Sequence, residues 1–85
     1  MVRILYKPAF VRAYKKLPTD LQDEIKEKIE IFKKNPNASN LKVHKLKGRL
    51  KDFWSFSVNY RYRIIFIKER ENYVLLVVGD HDVYR

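Results

Sequence analysis

The stretch Leu41–Arg63, LKVHKLKGRLKDFWSFSVNYRYR, decides how this chain folds and what it is built to meet. Its second half alternates, with Trp54, Phe56 and Val58 on one parity and Phe53, Ser55 and Ser57 on the other. That spacing predicts a strand that turns Trp54, Phe56 and Val58 toward an apolar layer. Its first half is basic and holds one histidine, His44. Between Ile31 and Lys68 a single acid, Asp52, stands against ten bases: Lys33, Lys34, Lys42, Lys45, Lys47, Arg49, Lys51, Arg61, Arg63 and Lys68. A field of one sign attracts polyanions and releases their counterions on contact, so the stretch reads as an RNA-facing surface.

Working outward from it, Asn59-Tyr60 is a turn, and Arg61 to Lys68 (RYRIIFIK) and Tyr73 to Gly79 (YVLLVVG) are two further strands joined around Arg70-Glu71-Asn72. With Tyr62, Ile64 and Phe66 turned to the apolar layer, Arg61 and Arg63 face away from it. Ser55, Ser57, Arg63 and the end of the last strand then share one concave face. Upstream, Asn35 to Asn40 is a polar loop, and before it lie two helices. The first starts at Pro8, carries Phe10, Val11, Tyr14 and Leu17 at helical spacing, and is broken by Pro18. In the second, Thr19 and Gln22 match a capping box, acids crowd the first turns, and Leu21, Ile25, Ile29 and Phe32 form one apolar stripe ended by Asn35-Pro36. Val2 to Tyr6 is a short apolar strand closed by Lys7-Pro8. Each helix has one apolar face to bury, so the expected fold is α+β: an N-terminal strand and a two-helix hairpin packed on an antiparallel β-sheet.

Size and charge bound the function. The chain has 85 residues, enough for one domain with a thin core. Nineteen bases against ten acids give a net charge of +9, which favours nucleic acid or an acidic protein as partner. No run approaches a membrane-spanning length and no apolar leader is visible, so a cytoplasmic protein without membrane attachment is expected. The absence of cysteine excludes disulfides and thiolate metal sites and agrees with a reducing compartment.

The order strand, helix hairpin, meander, with HKLKG ahead of FWSF, YRIIF in the next strand and GDHDVYR after the last, resembles the RelE/ParE superfamily of bacterial and archaeal toxins. The resemblance runs over essentially the whole chain, a single domain spanning residues 1–85. Its RelE-like branch implies a ribosome-dependent endoribonuclease that cuts messenger RNA in the A site, stops translation and is silenced by a cognate antitoxin, here a RelB-like partner with an acidic segment. The ParE-like branch implies a gyrase poison without nuclease activity, and the charge alone would also suit a non-catalytic RNA-binding module.

Metal-free RNA cleavage requires a base for the 2′-hydroxyl, a counter-charge for the phosphorane and an acid for the leaving 5′-oxygen. The resemblance puts the catalytic arginine at Arg63, where a guanidinium would clamp the scissile phosphate; a solvated or acid-paired strand arginine is the plainer alternative. It puts the general base of some members at His44, whose imidazole has a reference pKa of about 6.5, although a lone histidine in a basic loop can also be idle. His81 falls where the family places a residue near the leaving group, with Asp80 and Asp82 available to favour its protonated form or simply to pair with it. Tyr84 matches a terminal tyrosine that stacks on a base or assists proton transfer, or it packs on the sheet. Asp80-His81-Asp82 does not make a metal site, because adjacent strand residues point to alternate faces and only two ligands could converge; no cofactor is expected. Lys42, Lys45, Lys47, Arg49, Lys51 and Arg61 are the expected contacts to RNA phosphates. One departure stands out: enzymes of the RelE type often carry two bases on the strand after the glycine, where this chain has Ser55 and Ser57.

Overall fold

A computed structural model describes residues 2–48 and 52–80. Strand β1 (Arg3–Tyr6) leads through Lys7 into helix α1 (Pro8–Lys15), followed by helix α2 (Thr19–Lys34) and a 3-10 turn at Ser39–Leu41. Strands β2 (His44–Lys45), β3 (Trp54–Ser57), β4 (Tyr62–Glu69) and β5 (Asn72–Asp80) complete one sheet in the order β1-β5-β4-β3-β2. The helix hairpin covers one face, as expected for an α+β domain. No helix among the described residues is long and apolar enough to cross a membrane.

The two helices are joined by a device different from the one their sequence suggests. Pro18, not Thr19, holds the N-cap position of α2 and makes no side-chain cap hydrogen bond. Gln22 instead turns back, and its Nε2 donates to the carbonyls of Tyr14 at 3.0 Å and Leu17 at 3.1 Å. The capping-box expectation therefore fails. Pro18 has no hydroxyl to offer and pulls Thr19 into the helix, while the carbonyls of Tyr14 and Leu17 at the end of α1 and just beyond it lie within reach of an amide one turn into α2.

The core lies between hairpin and sheet. Phe10 of α1 and Ile25, Ile29 and Phe32 of α2 meet Phe56, Ile64, Phe66, Leu75 and Val78, with Leu41 closing the side. Phe32 is its centre: its ring stacks on Phe56 at 4.5 Å between centroids and meets Phe66 edge-on at 5.0 Å and Tyr73 edge-on at 5.1 Å. Phe32, Phe56 and Phe66 have no exposed area. Full burial of such a side chain stabilises by about 1.5–3 kcal/mol, so these three rings matter greatly in a domain whose total stability is about 5–15 kcal/mol.

Register explains how continuous apolar runs were divided between faces. β4 pairs with β5 as Ile64 with Val78 and Ile65 with Val77, then slips so that Phe66 faces Leu75. Leu76 is left unopposed, a bulge that lets Val78 and Leu75, three residues apart, both face the helices. The sheet is antiparallel except at one edge: β1 runs parallel to β5, pairing Ile4 with Tyr73 and Tyr6 with Leu75. The hairpin α1–α2 lies between β1 and the rest of the sheet in sequence, which frees β1 to run parallel to its distant partner. The basic segment read as a loop contains the short edge strand β2, and β4 begins at Tyr62 rather than Arg61.

Candidate functional site

Pairing places the chemistry on the sheet face away from the helices. His44 pairs with Ser55, which pairs with Ile65. Two residues along, Ser57 pairs with Arg63, which pairs with Gly79. Directly opposed residues share a face, so His44, Ser55, Ser57, Arg63 and Gly79 form one patch. His44 and Arg63 lie two strands and one alternation apart, on the order of 12 Å between Cα atoms from a strand spacing of about 4.8 Å and a rise of about 3.4 Å.

At the end of this patch a cleft of about 380 Å³ opens between the β3–β4 turn and α2. Lys28, Lys42, Ser57, Asn59, Tyr60 and Arg63 line it, together with Glu24, Asn40 and Val58. Three cations and one carboxylate leave the cleft positive. Arg63 is its most informative member: Nε and Nη1 are shielded from solvent, and neither has a hydrogen-bond partner among the described residues. Guanidinium donors taken from water and left unpaired cost about 1–3 kcal/mol or more, so an acceptor that reached them would be bound strongly.

The rest of the cleft is held firmly. Asn59 Oδ1 accepts from the backbone amides of Arg61 at 2.9 Å and Tyr62 at 2.7 Å, and Asn59 Nδ2 donates to Glu24 Oε1 at 2.9 Å. The turn is thus tied to α2, which brings Glu24 and Lys28 to the site. Lys42 caps the 3-10 turn in the left-handed region with φ 51°. For a lysine this conformation carries a strain of about 1 kcal/mol or more. Its carbonyl, which can only accept, lies 3.1 Å from His44 Nδ1, so that nitrogen carries the proton. In the neutral ring His44 Nε2 is then an acceptor, and Ser55 Oγ donates to it over 3.4 Å. Ser55 is fully buried while His44 is exposed, so a fixed hydroxyl sits beneath an accessible ring.

Of the residues singled out in the sequence, Arg63 and Lys42 meet in the cleft, and His44 is linked to it through the carbonyl of Lys42. Lys45 and Lys47 are exposed outside it. Arg61 also stays outside, its guanidinium 5.8 Å from the Tyr62 ring centre. Ser55 lies under His44 instead of lining the cleft. Arg49, Lys51, His81 and Tyr84 lie outside the described residues. Glu24, Lys28, Asn40 and Tyr60 were missed as site residues. The Glu24/Lys28 spacing of four residues is an ordinary helix-surface pair, and only the docking of α2 turns it into part of a cleft.

Comparison with curated proteins yields no match. Solved structures of the same fold are numerous. The chain is similar to a YoeB/ParE toxin from Agrobacterium tumefaciens, with 17% identity, TM-score 0.75, and 93% of this chain and 98% of the other covered. It is similar to the chain matched in an archaeal RelE–RelB complex from Pyrococcus horikoshii, with 20% identity, TM-score 0.75, and coverage of 96% and 97%. It is also similar to the chain matched in the DinJ–YafQ toxin–antitoxin complex of E. coli, with 17% identity, TM-score 0.78, and coverage of 99% and 98%. At these identities the likeness carries the fold. A sequence-family model goes further and matches residues 9–81 as a RelE-like toxin of type II toxin-antitoxin system HigB. The match takes in α1, α2, the Arg63 cleft and all of the sheet beyond β1, and by it the chain belongs to the HigB-like family of RelE-like toxins of type II toxin–antitoxin systems.

Proposed function

We propose that this toxin is a metal-independent endoribonuclease that cleaves messenger RNA on the ribosome and so inhibits translation. The observation that carries the reading is Arg63, which lines a cleft with Lys28, Lys42 and Ser57 and has two buried guanidinium nitrogens without a partner among the described residues. Such a group suits a phosphate, and the resemblance of YRIIF to the family's catalytic strand supports reading that phosphate as the scissile one. Arg63 binds the phosphate and offsets the charge that grows on the phosphorane. His44 Nε2, an acceptor because Nδ1–H bonds the Lys42 carbonyl, exchanges its long contact with Ser55 Oγ for the 2′-hydroxyl and takes that proton. His81 returns a proton to the leaving 5′-oxygen, and Tyr84 stacks on a base or assists that transfer. Lys45, Lys47 and Arg61 hold the RNA backbone from outside the cleft, and Arg49 and Lys51 are further contacts to RNA phosphates. No step calls for a cofactor.

The cognate antitoxin supplies the controlling partner. A RelB-like segment that is acidic and amphipathic suits both the +9 charge and an apolar groove lined by Tyr6, Phe10, Val11, Tyr14 and Ile29 beside edge strand β1, where Leu5 and Tyr6 are 40% and 44% exposed.

The test is induction in cells, with transcript ends mapped on translated and untranslated copies of one message and DNA integrity followed in parallel. Cuts confined to translated copies, lost with Arg63→Ala, are expected. Intact messages with double-strand breaks at gyrase would replace this reading with the gyrase-poisoning one.

A further inference from the structure

Tyr60 is 91% exposed, far more than Leu5 or Tyr6, the other large apolar side chains left in the open among the described residues. An aromatic ring standing in water gains nothing from the fold. A loose turn would explain it, but this turn is clamped. Asn59 accepts from the amides of Arg61 and Tyr62 and donates to Glu24 on α2, and the Val58 amide donates to the Tyr62 carbonyl at 2.9 Å. Tyr60 is thus presented from a fixed backbone, and it lines the same cleft as Arg63, Lys28 and Lys42. A flat ring and three cations in one cleft match the two parts of a nucleotide, a planar base and a charged phosphate. Stacking between a base and an aromatic ring is a strong, sequence-tolerant source of single-strand affinity.

From this we infer that Tyr60 is a nucleobase platform: a base of single-stranded RNA next to the phosphate held by Arg63 stacks on its ring. Purines are preferred, because their larger ring system covers more of the phenol. The inference rests on the reading of the Arg63 cleft as an RNA phosphate site and assigns that site a substrate contact and a base preference. Tyr60 binds and selects; the proton transfers proceed without it.

The experiment uses the whole toxin and three single-stranded oligomers of equal length, 2′-O-methylated so that they cannot be cleaved: oligoadenylate, oligouridylate and an abasic chain. Wild-type affinity should fall in that order. Tyr60→Ala should bind oligoadenylate roughly tenfold more weakly and lose most of the preference over the abasic chain. Tyr60→Phe and Tyr60→Trp should restore both, and Arg63→Ala should weaken all three oligomers alike. Exposure of Tyr60 removes folding as an explanation, which circular dichroism of each variant checks. A Tyr60→Ala protein that binds oligoadenylate like wild type, or keeps the full preference, overturns the inference. Cleavage of unmodified message on programmed ribosomes separates the two readings. Cleavage without a Tyr60-dependent preference removes the platform and leaves the nuclease, whereas the preference without cleavage removes the nuclease and leaves the platform.

Discussion

The two faces of the sheet are made by the same strands and do opposite work. Toward the helices β3 and β4 send Phe56, Ile64 and Phe66 into the cluster centred on Phe32. Toward the other side, and only one residue out of step, they send Ser55, Ser57 and Arg63, with His44 alongside on β2. On the first face the rings of Phe32, Phe56 and Phe66 pack on one another, and on the second Nε and Nη1 of Arg63 have no hydrogen-bond partner among the described residues. Stability is concentrated where contacts are complete, and binding capacity is stored where they are not. A thin domain can keep a costly unpaired guanidinium because the opposite face is so well packed.

Truncating Phe56 to alanine should break this division most severely. Removing a fully buried ring that stacks on Phe32 should cost about 3–5 kcal/mol in urea unfolding, most of the stability of a domain this small, and every activity should fall with it.

Arg63→Ala should have an effect of similar size on chemistry and none of that kind on folding. Cleavage on programmed ribosomes at saturating toxin should drop about 10³-fold. The urea midpoint should hold or rise, because the variant removes buried donors that had no partner. Arg63→Lys should rescue poorly, since a point charge lacks the two-pronged grip of guanidinium. Wild-type cleavage by folded Arg63→Ala would take the central residue out of the site.

His44→Ala sharpens the same contrast. Loss of a general base should lower the cleavage rate about 10²-fold, with stability within about 0.5 kcal/mol of wild type because the ring is exposed. A stability loss without a rate loss would make His44 a mere partner for the Lys42 carbonyl.

Gln22→Ala tests the hairpin that supports the packed face. It removes the amide that holds the end of α1 and should cost about 1 kcal/mol while cleavage by the folded protein is unchanged. The smallest effect belongs to Lys45→Ala combined with Lys47→Ala, both exposed and outside the cleft. Binding to single-stranded RNA should weaken, and its slope against log salt should flatten by about 0.7 per lysine, with the cleavage rate at saturation retained.

Periodicity and charge carried much of this into view in the primary structure. The alternation from Trp54 to Val58, the helical stripe Ile25, Ile29 and Phe32, and the one-signed run from Lys33 to Lys68 each report a local fact: which side of an element avoids water and which side repels its own charge. Those facts determine the helices, most strand positions and the face on which Arg63 stands. They do not say which distant segment meets that face. The parallel pairing of β1 with β5, the bulge at Leu76 inside an unbroken apolar run, and the reach of Gln22 back to α1 depend on pairings across the chain. So does the cleft. Glu24 and Lys28 join Asn59, Tyr60 and Arg63 only because α2 docks against the β3–β4 turn, and the burial of two Arg63 nitrogens likewise depends on packing across the chain. Local pattern sets which groups seek burial, and tertiary packing alone decides which of them are satisfied.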